Sequence, residues 1–147
     1  MPKEIQRKKV VVLGSTGSIG ESALKVARDI PERMELVGLA ANRSVDTLAS
    51  QIADFDIEQG CLYDPTGLDE LASRVPSGVT LRSGEEGLVE LATLPDADLV
   101  LIAIVGVAGL RPALAAIEAG HAQLLRRPEP VAGDPGADEI EHRLGIA

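Results

Sequence analysis

The stretch Val10-Val-Val-Leu-Gly-Ser-Thr-Gly-Ser-Ile-Gly20 decides the fold of this 147-residue chain. Its first four residues form a continuous apolar run, rich in β-branched side chains, which is typical of a strand buried on both faces of a parallel sheet. Apolar residues then recur at helical spacing from Ile19 to Ile30, and Pro31 ends that pattern. A strand, a glycine-rich loop and a helix in this order predict the opening of a βαβ unit.

The same alternation continues along the chain. We predict further strands at residues 36–41, 61–63, 79–81 and 98–104, and helices that begin at Ser44 and that span residues 68–75 and 83–91. A last helix is predicted from its apolar positions and from a glycine in the C′ position; these residues are Leu110, Leu114, Ala115, Ile117 and Gly120. Strands that alternate with helices predict an α/β fold, a doubly wound parallel sheet of the Rossmann-like type in a single domain.

The texture of the chain changes after Leu125. Residues 126–147 contain three prolines, three glycines and eight charged residues, with scarcely an apolar run. We therefore predict a Rossmann-like domain over residues 1–125 and a divergent, acidic, poorly ordered tail over residues 126–147. Residues 122–125 can at most begin one more strand.

Composition and charge exclude several classes of protein. The net charge is −9, which disfavours nucleic acid as a partner, and Phe55 and Tyr63 are the only aromatic residues on which bases could stack. Cys61 is the only cysteine, so an internal disulfide and a cysteine-rich zinc site are both excluded. With no signal-peptide core and no apolar run long enough to span a bilayer, we expect a soluble, cytoplasmic protein.

The glycine loop has the position that a dinucleotide-binding fingerprint requires, between the first strand and the first helix. Gly14 permits a tight turn, Gly17 lets the backbone approach a pyrophosphate, and Gly20 allows close packing of helix and sheet. The amides of residues 16–19 can meet negative charge at the helix start, and Thr16 and Ser18 add hydroxyl donors. The alternative is a glycine-rich turn that binds no ligand.

Two further stretches of the sequence narrow the class of ligand. Glu21 and Ser22 stand where a Walker A loop requires Lys and Ser or Thr, so that loop is excluded. At the end of the second strand an NAD-selective domain usually places Asp or Glu on the ribose 2′-hydroxyl, but this chain offers Asn42-Arg43-Ser44. A cation beside small polar groups suits a 2′-phosphate and predicts a preference for NADPH over NADH. Otherwise Arg43 is simply a solvated residue at a helix start.

No catalytic residue can be named from the sequence. Short-chain dehydrogenases need a Tyr with a Lys four residues later, but Gly67 holds that position after Tyr63. His121 follows the glycine that ends a predicted helix, and His142 lies in the tail, so neither is a good candidate for a general base. The serines of the glycine loop have no nearby pairing of His with Asp, so nucleophilic catalysis is unsupported.

Four stretches together resemble the N-terminal domain of the 1-deoxy-D-xylulose 5-phosphate reductoisomerase family, from about Lys8 to Leu125. They are residues 11–20, Ala40-Ala-Asn-Arg-Ser44, Ala103-Ile-Val-Gly-Val-Ala-Gly-Leu110 and Pro112-Ala-Leu-Ala-Ala-Ile-Glu-Ala-Gly120. The resemblance implies an enzyme that uses NADPH and Mg²⁺ or Mn²⁺ to rearrange and reduce 1-deoxy-D-xylulose 5-phosphate to 2-C-methyl-D-erythritol 4-phosphate. This reaction belongs to the non-mevalonate route to isoprenoids, and the bacterial enzymes of the family are cytosolic homodimers.

The resemblance also implies cofactor contacts, residue by residue. They are Thr16, Gly17, Ser18 and Ile19 at the phosphates, Asn42, Arg43 and Ser44 at the 2′-phosphorylated ribose, Ala103, Ile104 and Val105 near the nicotinamide, and Glu129. Reasoning from the residues alone leads to the first two groups. The contacts near the nicotinamide and Glu129 depend on the resemblance.

The chain departs from the family after Leu125. The family continues Leu-Ala-Asn-Lys-Glu, whereas this chain has Leu125-Arg-Arg-Pro-Glu129, so Arg127 and Pro128 replace an Asn that contacts the cofactor and a Lys that contacts the substrate. The family's acidic metal site and its substrate-binding and C-terminal domains have no counterpart. We expect no turnover by this chain alone, and we interpret the break as a frameshift, a truncated gene or a gene-model error.

Two other functions stay open at this point. The chain could be a non-catalytic nucleotide-binding module whose acidic tail contacts a partner, and a specific partner for residues 126–147 would favour that hypothesis. It could instead be a gene fragment without function. Poor solubility would favour the fragment, because missing strands leave a sheet edge unpaired.

Overall fold

A six-stranded parallel sheet flanked by helices forms the framework of the computed structural model, which describes residues 7–104, 107–120 and 122–123. The strands are β1 (Lys8–Leu13), β2 (Met34–Ala41), β3 (Gln59–Leu62), β4 (Thr80–Ser83), β5 (Leu99–Ile102) and β6 (Ala122–Gln123). The helices are α1 (Ser18–Asp29), α2 (Val45–Asp54), α3 (Leu68–Arg74), α4 (Gly84–Ala92) and α5 (Leu110–Glu118), with short 3-10 helices at Pro65–Gly67 and Val107–Gly109.

The strand order is β4-β3-β2-β1-β5-β6, and every neighbouring pair is parallel. From β1 the chain winds through β2 and β3 to β4 at one edge, then crosses back to place β5 on the other side of β1. Crossover helices are the connections that parallel strands require. The predicted doubly wound parallel sheet is confirmed.

Strand β1 lies at the centre and belongs to two cores. Because successive side chains of a strand point to opposite faces, Val10 and Val12 pack in one apolar cluster, and Val11 and Leu13 pack in the other. The first cluster includes residues of α1, α2 and α3, and the second includes residues of α4 and α5. All four side chains are at most 1% exposed, which explains why β1 is a continuous apolar run.

Helix α5 presents a different face from the one predicted. Leu110, Leu114 and Ile117 are 60%, 53% and 52% exposed, and the buried residues are Pro112, Ala113 and Ala116. Both sets recur at helical spacing, so periodicity alone could not choose between them. Ala113 and Ala116 pack in the same apolar cluster as residues of α4 and β5, a position where larger side chains would need additional volume.

Most boundaries agree with the predictions to within two residues. Strand β5 is shorter than predicted and ends at Ile102, because its neighbour β1 ends at Leu13 and offers no further pairing after the Ala103 amide donates to the Leu13 carbonyl at 2.7 Å. Gly120 follows the C-cap of α5 with a φ of +77°, as predicted. The predicted tail lies outside the described residues. None of the helices within the described ranges is long and apolar enough to cross a membrane.

Candidate functional site

The carboxyl ends of β1 and β5 meet at the point where the order of the strands in the sheet reverses direction. After β1 the chain proceeds to β2 on one side, and after β5 it proceeds to β6 on the other. In open α/β sheets the loops leave this point in opposite directions and open a crevice that binds ligands. The glycine loop follows β1 at this point, and Ala103 and Ile104 follow β5.

Gly14 makes the turn out of β1, and two independent features require glycine there. Its φ is +94°, a conformation that other L-residues rarely adopt. A Cβ atom at this position would also lie 2.8 Å from the carbonyl oxygen of Ala103. The amides of Gly14 and Ser15 both donate to the carbonyl of Ala40, at 2.8 and 2.9 Å, so the turn is tied to β2 as well.

Gly20 and Gly17 serve different purposes. A Cβ atom on Gly20 would lie 2.0 Å from the carbonyl oxygen of Gly14, so the first turn of α1 packs directly on the glycine loop. The sequence predicted that Gly20 would instead allow close packing of the helix on the sheet. A Cβ atom on Gly17 would meet only the Gly14 carbonyl oxygen at 3.7 Å, an ordinary contact. Gly17 is exposed, and its open side faces outward, where a ligand could approach the backbone.

No side chain in the described part of the chain caps the N-terminus of α1. Gly17 is the N-cap residue, and its carbonyl accepts from the amide of Glu21 at 2.8 Å, but no described side chain accepts from the first-turn amides. The amides of Ser18 and Ile19 therefore keep their donor capacity at the positive end of the helix dipole. Negative charge such as a pyrophosphate suits this position.

Ser15 does not face the crevice. It is the one polar residue that is fully buried among those the structure describes, and its hydroxyl donates to Oε1 of Gln51 at 2.7 Å. In return, Nε2 of Gln51 donates to the carbonyl of Ser15 at 3.0 Å. Sequence reasoning missed Gln51, which lies 36 residues from the loop, although a polar side chain between the buried Leu48 and Ile52 of α2 was a usable signal.

Asn42, Arg43 and Ser44 form a second polar group at the end of β2, and all three are exposed. Ser44 is the N-cap residue of α2, as predicted, but its side chain makes no capping hydrogen bond and remains available. An open depression of about 390 Å³ begins at these residues; its lining is Arg43, Ser44, Val45, Asp46, Thr47 and Glu70.

Arg43 forms no ion pair with the acidic residues of this depression, although the carboxylate of Asp64 is near enough for the two charges to interact. The two acidic residues in the lining are engaged by Arg74, which pairs with Asp46 and, at 2.8 Å, with Glu70. Among residues 7–104, 107–120 and 122–123, no ion pair involves Arg43 itself. An unpaired guanidinium beside the uncapped start of α2 favours an anionic ligand.

Asp64 lies beside this group, because its amide donates to the carbonyl of Asn42 at 2.8 Å. The hydroxyl and the amide of Thr66 donate to the Asp64 carboxylate at 2.7 and 3.0 Å, and together they hold the pKa of that carboxyl below its usual range. The positive charge of Arg43 lowers this pKa further. Asp64 is therefore ionised at neutral pH, and its charge interacts favourably with that of Arg43 without forming an ion pair.

The remaining candidate residues differ in whether the structure places them at the site. Ala103 and Ile104 are half-buried at the end of β5 beside Gly14, whereas Val105 and Glu129 lie outside the described residues, as do both histidines. Cys61 is fully buried in β3, and this burial raises the pKa of its thiol to about 12. A thiol that stays protonated and inaccessible cannot act as a nucleophile at neutral pH.

The described ranges contain no group of three or more His, Cys, Asp or Glu side chains that could hold a metal ion. A catalytic Mg²⁺ or Mn²⁺ thus has no ligand set in this part of the chain, and no chemical step is assigned to one. The glycine loop, by contrast, fits a dinucleotide: Gly14 and Gly20 close the turn, Gly17 is open, and the amides of α1 are uncapped.

The strand order, the glycine loop after β1 and the reversal of strand order between β1 and β5 are those of the Rossmann-type dinucleotide-binding domains. The model of the 1-deoxy-D-xylulose 5-phosphate reductoisomerase family matches residues 10–129, and the chain belongs to that family. The reductoisomerase of Thermodesulfovibrio yellowstonii is 45% identical over 113 residues, which cover 77% of this chain and 29% of the relative. That of Acaryochloris marina is 39% identical over 143 residues, 95% of this chain and 36% of the relative.

Solved structures agree with the sequence comparison. The reductoisomerase from Zymomonas mobilis in complex with NADPH superposes with a TM-score of 0.77 at 32% identity, covering 95% of this chain and 37% of that one. A reductoisomerase in complex with magnesium gives the same TM-score at 33% identity, covering 82% of this chain and 30% of that one. The chain spans about a third of the length of these relatives.

The similarity reaches beyond the predicted boundary at residue 125. The family model extends to residue 129, and the alignment with the Acaryochloris marina enzyme covers 95% of the chain. The matched region corresponds to the N-terminal part of the family.

Proposed function

We propose that this chain binds NADPH across the crevice between β1 and β5 and is the cofactor-binding part of a 1-deoxy-D-xylulose 5-phosphate reductoisomerase. The observation that carries this proposal is the uncapped N-terminus of α1 behind a glycine loop with no room for a Cβ atom at Gly14 or Gly20. The relative from Zymomonas mobilis, whose structure contains NADPH, supports the choice of ligand.

The roles of the residues follow from their positions in the site. Thr16, Gly17, Ser18 and Ile19 would hold the pyrophosphate through amides and hydroxyls at the helix start. Asn42, Arg43 and Ser44 would hold the 2′-phosphate, since Arg43 forms no ion pair among the described residues. Ala103 and Ile104 would line the nicotinamide end, and Val105 and Glu129 complete the proposed contacts.

NADPH supplies a hydride when it is bound, and this chain's own contribution is to hold and orient it. Ala103 and Ile104 are apolar and half-buried, so they would give the nicotinamide end an apolar contact surface. The rearrangement and reduction of 1-deoxy-D-xylulose 5-phosphate to 2-C-methyl-D-erythritol 4-phosphate is the activity we propose for the whole enzyme. It needs metal and substrate sites beyond the described residues, so we propose no turnover by this chain alone.

Titration calorimetry with NADPH and NADH tests cofactor binding. We expect the wild-type chain to bind NADPH at least tenfold more tightly, because a charge-assisted contact to the 2′-phosphate contributes about 1.5–3 kcal/mol. Arg43→Ala should remove that preference and leave NADH binding unchanged. Arg33→Ala is the matched control, since Arg33 is an exposed arginine at the opposite, amino-terminal end of β2. Equal affinity of the wild-type chain for both cofactors would refute the assigned role of Arg43.

An absorbance assay tests the proposal that the chain alone is not catalytic. Purified protein with NADPH, Mg²⁺ or Mn²⁺ and 1-deoxy-D-xylulose 5-phosphate should leave the absorbance of the reduced nicotinamide unchanged. A full-length relative in the same buffer is the positive control. Steady oxidation of NADPH by this chain would contradict the proposal.

We also propose the domain division at residue 125, a cytoplasmic location and, for the whole enzyme, a homodimer. The single cysteine, buried and protonated, suits a reducing compartment. Limited proteolysis with mass spectrometry tests the division: the first cuts should fall within residues 126–147, and early cuts within residues 7–104 would contradict it.

A further inference from the structure

Gln51 and Ser15 form a closed, reciprocal pair between α2 and the glycine loop. The Ser15 hydroxyl donates to Oε1 of Gln51 at 2.7 Å, and Nε2 of Gln51 donates to the Ser15 carbonyl at 3.0 Å. One amide side chain therefore satisfies both the side chain and the backbone carbonyl of a residue that is 0% exposed. Buried polar groups that lose their partners are costly, which gives this pair a strong preference for its observed geometry.

The pair holds the loop at Ser15 in addition to the contacts of the glycines. Gly14 and the Ser15 amide are tied to β2 through the Ala40 carbonyl, and Gly20 is packed on Gly14. The Ser15 carbonyl belongs to the same planar peptide group as the Thr16 amide, so the hydrogen bond from Gln51 restricts the direction of that amide. Gln51 is a firm anchor for that carbonyl, because its neighbours Leu48 and Ile52 are at most 1% exposed in the core.

We propose that Gln51 is a positioning residue for the dinucleotide: it orients the glycine loop so that the amides of residues 16–19 face the phosphates. The inference rests on the proposed function, because it assumes that the dinucleotide binds at this loop. It also links the two ends of the site. The helix that carries Gln51 begins beside Arg43 and Ser44. The same helix therefore contacts the glycine loop and lies next to the residues proposed to bind the 2′-phosphate.

The matched ligands NADPH, NADH and adenosine 2′-monophosphate separate positioning from general stability. Gln51→Leu should weaken NADPH and NADH by the same factor, about tenfold, because both share the pyrophosphate and two hydrogen bonds that hold the loop are lost. Adenosine 2′-monophosphate has no 5′-phosphate to meet the loop, so its affinity in an NMR titration should not change. Ser50→Ala, an exposed change on the same helix, is the control and should bind all three ligands like the wild type.

Two further variants keep the test sharp if Gln51→Leu does not fold. Gln51→Glu keeps the size of the side chain and an acceptor for the Ser15 hydroxyl but removes the donor to the Ser15 carbonyl, so it should weaken both dinucleotides about tenfold at neutral pH. Ser15→Ala keeps that donor contact and should weaken them less, about threefold. Thermal melting of each variant shows that the affinities refer to folded protein.

The outcomes distinguish the inference from the proposed function. If the wild-type chain binds neither dinucleotide, both fail. If it binds NADPH and folded Gln51→Glu binds equally well, the positioning role alone is wrong. A parallel loss of affinity for adenosine 2′-monophosphate would also overturn it, because that result indicates a general structural effect.

Discussion

Gly17 and Gly20 are separated by only two residues, but the space around them differs. A Cβ atom on Gly20 would lie 2.0 Å from the carbonyl oxygen of Gly14, whereas a Cβ atom on Gly17 has ordinary clearance. Gly20 is therefore required by the fold. Gly17 is not, and its backbone is free to contact a ligand.

Gly20→Ala should destabilise the fold. The added methyl group must displace the Gly14 carbonyl, and because backbone cannot rotate away as a side chain can, we expect a loss of about 3 kcal/mol in the free energy of unfolding. Urea denaturation followed by circular dichroism measures this loss. A value below about 0.5 kcal/mol, the range of neutral surface changes, would contradict the close packing of α1 on the loop.

Gly17→Ala should preserve the fold and weaken the cofactor. Its methyl group has ordinary space in the free protein, so the free energy of unfolding should stay within about 1 kcal/mol of wild type. The same methyl group would stand between the backbone and a pyrophosphate, so the dissociation constant for NADPH should rise at least tenfold. Calorimetry of the folded variant checks this, and unchanged affinity would argue against pyrophosphate at Gly17.

The raised pKa of Cys61 should make the stability of the fold depend on pH in the alkaline range. Burial raises the pKa of its thiol from 9.0 to about 12, with a smaller upward effect from Glu90 and an opposing one from Arg82. The unfolded thiol loses its proton near pH 9.0, whereas the folded thiol keeps it up to about pH 12. The contribution of this thiol to the free energy of unfolding is therefore present below pH 9.0 and is lost as the pH rises toward 12.

Denaturation at pH 8 to 10 measures that slope, with Cys61→Ala as the control in which it should be smaller. Ellman's reagent gives a second readout: the folded protein should react at least 100-fold more slowly than the denatured chain, because the thiol is both buried and protonated. Rapid labelling of the folded protein would show that β3 opens readily.

At the scale of a single element, α5 shows how two apolar faces compete for the core. The face with Ala113 and Ala116 is buried, and the face with Leu110, Leu114 and Ile117 is exposed within the described part of the chain. Ala113 and Ala116 pack in one cluster with residues of α4 and β5. The buried face of this helix is therefore the one with the smaller side chains.

Paired substitutions in α5 test that orientation. Leu114→Lys should change the free energy of unfolding by less than about 0.5 kcal/mol, as surface changes usually do, whereas Ala116→Leu should cost about 1–3 kcal/mol through overpacking. Denaturant unfolding of both variants gives the comparison. The reverse ranking would mean that a part of the chain outside the described residues covers the leucine face.

At the scale of the whole molecule, the sheet joins two cores through its central strand. Two apolar residues of β1 belong to each cluster, and all four are at most 1% exposed, so β1 is part of both cores. A ligand that binds the native state stabilises it by mass action.

NADPH should therefore raise the melting temperature. At a concentration of 100 times its dissociation constant the stabilisation is about 2.7 kcal/mol. For a chain of this size that corresponds to a shift of roughly 5–15 °C. Differential scanning calorimetry with NADPH, and with NADH at the same concentration as the comparison, measures it. Equal shifts for the two cofactors would argue against the 2′-phosphate contact at Arg43.

Much of this fold could be predicted from the sequence, because its signals are local. The apolar run of β1, the glycines that follow it and the helical spacing up to Ile30 determine a strand, a turn and a helix without reference to distant residues. The same holds for the C-terminal end of α5 at Gly120, where a φ of +77° favours glycine. The polar group at the end of β2 was found in the same way, from its distance to the loop.

The sequence by itself determined the order of elements, the parallel sheet and the family to which the chain belongs, because hydrophobic period, glycine positions and motif spacing are properties of neighbouring residues. Only the tertiary structure decided which face of α5 is buried, that Gly20 packs on the loop rather than on the sheet, and that Gln51 holds Ser15. These features depend on contacts between residues far apart in the chain, where the available volume and the pairing of buried polar groups are set by the whole fold.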